Sequence, residues 1–139
     1  MKSALFALLL AAATPALAET HEVRMYNRNE SGAMIYDPAF LQIAPGDSVR
    51  FIPEQPSHNA ATIAGMIPDG ATPFKSAINE DFTVTLTVPG QYGIKCSPHF
   101  AMGMVMLIAV GAAPAPVFPP DLPPRARQRF DAILAARPE

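Results

Sequence analysis

The stretch "DFTVTLTVPGQYGIKC", residues 81–96, alternates apolar and polar side chains and breaks at Pro89-Gly90. It resumes as a second short run that ends on the chain's only cysteine. Alternation with a period of two marks a half-buried strand, and Pro-Gly is turn punctuation, so the stretch reads as two strands of a sheet. The pattern recurs upstream in "HEVRMYN" (21–27) and "DSVRFIP" (47–53), with "AFLQIA" (39–44) as a shorter member. Downstream, "MVMLIAV" (104–110) is almost wholly apolar, like a central strand. Pro45-Gly46-Asp47 and Pro68-Asp69-Gly70 supply further turns. Short strands at this spacing, with no helical repeats between them, predict an all-β, Greek-key β-sandwich.

Both ends of the chain differ from this middle. Lys2, the apolar "ALFALLLAAA" (4–13) and the small-x-small Ala16-Leu17-Ala18 read as a secretory leader cleaved after Ala18. Its apolar run is too short to span a bilayer as a helix, and no other span is apparent. After Val110, "GAAPAPVFPPDLPP" (111–124) holds six of the sixteen prolines and cannot be regular helix or central strand. "PRARQRFDAILAAR" (124–137) then reads as an amphipathic helix, with Phe130, Ile133 and Leu134 opposite the arginines and Pro124 suited to its first turn. The expected layout is a leader at 1–18, a sandwich at 19–111, and a Pro-rich linker with a C-terminal α-helix packed on the sandwich at 112–139.

Removing the leader takes the balance from ten basic and twelve acidic residues to nine and twelve, net −3. No basic run is dense enough for nucleic acid. One cysteine excludes an internal disulfide, a CxxCH haem attachment and a thioredoxin-type CxxC. In an exported protein such a lone cysteine is either a liability or a residue with a task.

Cys96, His99 and two methionines crowd into "KCSPHFAMGM" (95–104). A thiol nucleophile needs an orienting third group and an oxyanion motif, and neither is evident. A plain core would explain the cysteine and the methionines, which fill irregular gaps well, but not a histidine beside Pro98 just past a strand end. Copper in an electron-transfer site takes two imidazoles and a thiolate in a trigonal plane with a weak axial thioether. The loop can supply three of these. The second imidazole must come from elsewhere, and His58 in "PSHNA" (56–60) suits better than His21 at the processed terminus. Zinc fits less well, because methionine is a poor fourth ligand for it.

Residues 20–110 resemble the pseudoazurins, small blue copper proteins of the cupredoxin family found in the bacterial periplasm. The resemblance rests on "GAMIYDPAFLQIAPGDSVRFIP" (32–53), "HNAATIAGMIPDGATPFKSAINE" (58–80) and "PGQYGIKCSPHFAMGMV" (89–105). It implies one type 1 copper ion held by His58, Cys96, His99 and Met104. Met102 would give the shorter spacing of amicyanin-like proteins, but the string "CSPHFAMGMV" resembles the longer one. The resemblance also implies outer roles. Asn59 would reach the cysteine sulfur through its backbone N–H and tie two ligand-bearing loops together. Met34 would pack on the His99 ring, and Pro98 would sit beside the thiolate without an N–H to donate.

A partner would dock near Met34, Pro53, Pro98 and Met102, around the exposed edge of His99, with Lys75 and Lys95 close by. Pseudoazurins usually ring this histidine with lysines. Only those two remain in the mature chain, with Arg24, Arg28 and Arg50 as the domain's other cations. The family also ends in two helices, the first of which the Pro-rich stretch replaces. The implied function is a monomeric periplasmic one-electron carrier, not an enzyme, donating to a nitrite reductase or another denitrification reductase. A copper chaperone would not need the thiolate, and a multicopper enzyme domain would need more than three histidines.

Overall fold

The computed structural model describes residues 15–137, so most of the leader lies outside the described residues. Eight strands run in chain order: β1 (Thr20–Asn29), β2 (Gly32–Asp37), β3 (Phe40–Ile43), β4 (Ser48–Pro53), β5 (Ala61–Thr62), β6 (Phe82–Thr85), β7 (Gly90–Lys95) and β8 (Val105–Val110). Among the described residues a 3-10 helix covers Ser97–Met102, and one α-helix, α1 (Pro124–Ala136), follows the strands. The strands form two four-stranded sheets, ordered β2-β1-β4-β6 and β3-β8-β7-β5. The predicted all-β sandwich with a C-terminal helix is the observed fold.

Alternation decides which side chains enter the space between the sheets. Val23 and Met25 of β1, Val49 and Phe51 of β4, and Tyr92 and Ile94 of β7 are buried there, together with Cys96 and Met104. The near-continuous apolar run of β8 has a separate cause. Its Met106, Ile108 and Val110 face the inter-sheet core, while Val105 and Leu107 belong to a second cluster with Ala126, Phe130 and Ile133 of α1. β8 is therefore covered on both faces. The Pro-rich segment contributes Phe118 and Leu122 to this outer cluster, and the rings of Phe118 and Phe130 lie 5.3 Å apart. With no room for polar alternation, β8 fixes the height at which the loop before it must end.

Two strands escape the sequence pattern. β2 follows β1 through a tight turn in which Ser31 N–H donates to the Asn29 side chain, and Met34 interrupts its extended backbone at φ 54. That break spoils the alternation of "GAMIYD". β5 is two residues long, below any periodic signal. Among the described residues no helix is long and apolar enough to cross a membrane.

Candidate metal centre

β7 and β8 pair antiparallel from Gly90↔Val110 to Lys95↔Val105, so residues 96–104 must cross from one strand to its neighbour. The crossing is closed by backbone bonds. Cys96 N–H donates to the Met104 carbonyl at 3.0 Å, His99 N–H to the Cys96 carbonyl at 3.1 Å, and Met104 N–H to the His99 carbonyl at 3.2 Å. Gly103 ends the 3-10 helix at φ 88, a conformation glycine adopts without strain. A Cβ there would also stand 2.8 Å from the Arg125 carbonyl oxygen. Helix α1 thus presses on the loop at the one residue that has no side chain.

His58 arrives from the far sheet. After β4 the chain turns through Ser57 at φ 78, whose N–H donates to the Asn79 side chain at 2.6 Å. Asn79 N–H donates in turn to the His58 carbonyl at 2.8 Å. The turn puts His58 fully inside, its Nδ1 3.7 Å from the Cys96 sulfur, while His99 Nδ1 approaches the same sulfur at 3.4 Å. The two imidazole rings meet edge to face with centroids 5.0 Å apart. Met104 is wholly buried in the cluster that also holds Cys96, whereas Met102 is 44% exposed.

Asn59 cross-ties the two loops. Its side-chain oxygen accepts from Ser97 N–H at 2.7 Å, and its amide group donates to Ser97 Oγ and to the Ser76 carbonyl, each at 3.2 Å. Its own carbonyl accepts from the Tyr36 hydroxyl at 2.6 Å. Every polar atom of this buried residue spans a gap between chain segments, so the relative position of His58 and Cys96 is set by bonds rather than by packing alone.

Protonation follows from burial. Desolvation, and then the neighbouring His99, lowers the affinity of His58 for a proton, which leaves a neutral ring with a lone pair. Burial pushes the Cys96 thiol up, while N–H groups of Asn59 and His99 pull it back down. His58 Nε2 is buried without a hydrogen-bond partner, so Nδ1 is its only nitrogen with a neighbour to engage. A thiolate here would be compensated by a cation held between the sulfur and the two imidazole nitrogens. Soft sulfur plus two imidazoles is the donor set of copper, and a disulfide is excluded because Cys96 is the chain's one cysteine.

The chain matches the model described as copper binding proteins, plastocyanin/azurin family, over residues 23–111. It is also 51% identical over 132 residues to pseudoazurin of Paracoccus pantotrophus, which covers 93% of this chain and 91% of that protein. The chain belongs to the pseudoazurins. Solved pseudoazurins share its fold. That of Methylobacterium extorquens AM1 is 37% identical with a TM-score of 0.75, covering 84% of this chain and 97% of its own. That of Hyphomicrobium denitrificans is 29% identical with a TM-score of 0.73, covering 86% and 99%. Copper is accordingly the ion that this Cys/His/His cluster with its nearby buried methionine suits.

The surroundings contain residues that sequence reading paired and one that it missed. Lys75 and Lys95, twenty positions apart, line one shallow depression with Phe74 and Ser97, and Lys95 lies over the Phe100 ring at 4.9 Å. Pro98 is exposed and Pro53 half-buried, while Met34 packs on the edge of the core cluster. Met102 lies beside Arg125 and Arg129 of α1. Arg129 donates to the Ala33 and Met34 carbonyls at 3.1 and 3.2 Å, and so ties the helix to the segment beside the cluster. Nothing in a helix pattern foretells that bond.

Proposed function

We propose that the chain is a one-electron carrier whose copper is held by His58, Cys96, His99 and Met104. The observation that carries this reading is the asymmetry of the two histidines about one buried sulfur. His58 is sealed inside, and His99 is partly exposed at the rim. Bound copper supplies a reversible Cu(II)/Cu(I) couple. The protein supplies the rest: Asn59 and the 96–104 backbone bonds hold the ligand atoms still, the core excludes water, and the His99 edge gives a short path to the surface. Four protein ligands leave no position for a substrate, which favours a carrier over an enzyme.

Residues 1–18 act in this reading as a leader removed on export to the periplasm, residues 19–111 as the sandwich, and 112–139 as the Pro-rich linker and docked helix. The working protein is a monomer with no membrane anchor and no nucleic-acid partner. Partner proteins dock on Met102, Pro53, Pro98 and Met34, with Lys75 and Lys95 flanking, and the acceptor is a nitrite reductase or another denitrification reductase. The test is the second-order rate of electron transfer from the reduced protein to such reductases. Met102→Glu, which puts a charge in the apolar rim, should slow it several-fold without altering the visible spectrum. Unchanged rates with every candidate reductase would remove that acceptor class.

A further inference from the structure

A second set of metal-capable side chains, Glu19, His21 and Asp47, brings its ligand atoms within 4.8 Å of one another. It lies at the opposite end of β4 from the His58 loop, since His21 pairs with Val49 and that loop leaves after Pro53. Asp47, itself buried, gathers the set. Its Oδ1 accepts from Glu19 N–H at 3.0 Å and its Oδ2 faces His21 Nε2 at 2.9 Å. Against an ionised carboxylate Nε2 carries the proton, and Nδ1 keeps its lone pair. A carboxylate on the far nitrogen is the arrangement that fixes the tautomer and orientation of metal-binding histidines.

The chain order adds what the side chains lack. Cleavage after Ala18 makes Glu19-Thr20-His21 the first three residues. A free α-amine with histidine in third place can wrap one ion in four nitrogens: the amine, the amides of residues two and three, and the histidine Nδ1. The rings so closed have five, five and six members, all unstrained. Planar nitrogen donors suit Cu(II) and Ni(II), and of these Cu(II) binds more tightly.

Only the first rungs of β1 must give way for this. Ser48 N–H donates to the Glu19 carbonyl at 2.8 Å, so residue 19 points toward β4 and the N–H of Thr20 points to the other edge. On that edge β2 begins to pair only at Arg24. The Thr20 amide is therefore open but faces away from the Glu19 and His21 amides, so wrapping one ion requires residues 19–21 to turn out of the extended strand and release their first rungs with β4.

We propose that the processed chain carries a second copper(II) site at its N-terminus, built from the Glu19 α-amine, the Thr20 and His21 amides and His21 Nδ1, with Asp47 orienting the ring. Binding releases the ammonium proton and both amide protons. The site rests on cleavage after Ala18, as proposed above.

The experiment is a Cu(II) titration of the secreted protein, with the buried site already filled and the N-terminus read by intact mass. The expected result is one further equivalent, with the weak visible band and four-nitrogen hyperfine pattern of planar Cu(II), apart from the intense colour of the first. His21→Ala, or one alanine inserted before Glu19, should each abolish the second equivalent and spare the first. Asp47→Asn should keep the stoichiometry and weaken binding roughly tenfold or more. A chain that begins at Glu19 and takes up a single equivalent overturns the proposal, as does a second equivalent that survives His21→Ala. A mass showing cleavage elsewhere overturns the leader reading instead. The same titration on a chain released at Glu19 by an introduced protease site then decides the copper site alone.

Discussion

Around the rim of the His99 end, Lys75, Lys95 and Arg125 take part in no ion pair among the described residues. On the outer face of β1 and β4, by contrast, Arg24 is bound to Glu22 and Glu54, and Arg50 to Glu22 and Asp81. The two regions use their cations differently. The arginines of the sheet face are neutralised by the chain itself, so they offer little field to a partner. Lys75, Lys95 and Arg125, left uncommitted, stand near the site instead. The same contrast extends inward. At the site end the side chains of buried Asn59 and exposed Asn79 cross-link loops, whereas at the far end one carboxylate, Asp47, receives the N–H groups of Glu19 and Ala44 and the His21 ring. A rigid, lightly charged rim and a self-satisfied flank are what a carrier needs if it must release its partner after each transfer.

The largest effect should come from Cys96→Ser. The intense visible band should vanish completely, while the copper-free protein unfolds near the wild-type temperature, because the swap is nearly isosteric within an intact core. An intensely coloured Cys96→Ser protein would remove the sulfur from the site.

The two methionines set the rim against the core. Met104→Ala empties a fully buried position and should cost about 2–5 kcal/mol in urea unfolding. Met102→Ala, at an exposed position, should stay within about 0.5 kcal/mol. In the copper-loaded proteins Met104→Ala should keep its colour but shift the band, and Met102→Ala should not. A reversal of that spectral result would make Met102 the axial residue.

Glycines allow a finer comparison. Gly103→Ala meets both a positive φ of 88 and the Arg125 carbonyl, and should lose about 1–3 kcal/mol. Gly46→Ala at the far end has a φ of 95 but nothing within 4 Å, so only the backbone cost of about 1–2 kcal/mol remains. Equal losses in thermal melts would mean that α1 yields to the loop.

Asp47 should make the far end the acid-sensitive one. Its carboxyl lies below its ordinary value of 3.8 because Glu19 N–H, the His21 ring and Ala44 N–H all favour the charged form. The stabilisation is therefore complete above the unfolded value and is lost as pH falls through the lower, folded one. Urea melts of wild type and Asp47→Asn should differ at pH 6 and converge as the pH drops toward 2. A gap that stays constant would refute the linkage.

The smallest effect concerns the two sets of cations. The rate of reaction with a reductase should fall only moderately with ionic strength, since few unpaired charges face the partner. Lys95→Gln should flatten that dependence more than Arg50→Gln. The opposite order would place the docking face on the sheet.

Much of this was readable from local pattern. Six of the eight strands announced themselves by alternation or by a continuous apolar run, and α1 by its stripe and its leading proline. β2 did not, because the positive φ at Met34 breaks its period, and β5 was too short to have one. The crowding of Cys96, His99 and Met104 was visible because one loop supplies all three. From the residues alone His58 could be named only as the better of two histidines, and it was the family resemblance that singled it out.

The sequence by itself determined the chemistry and the class of fold: a thiol, imidazoles and thioethers at loop spacing, on short alternating strands bounded by turns. These are properties of neighbours along the chain, and local sterics and periodicity suffice to express them. Only the tertiary structure decided which histidine meets the sulfur, which methionine is sealed beside it, and that Asn59 locks the two loops. It alone committed Arg24 and Arg50 to carboxylates and set Arg129 on the Met34 segment. Each of those depends on segments distant in sequence meeting at hydrogen-bond range, and that follows from how the two sheets and the helix close on one core.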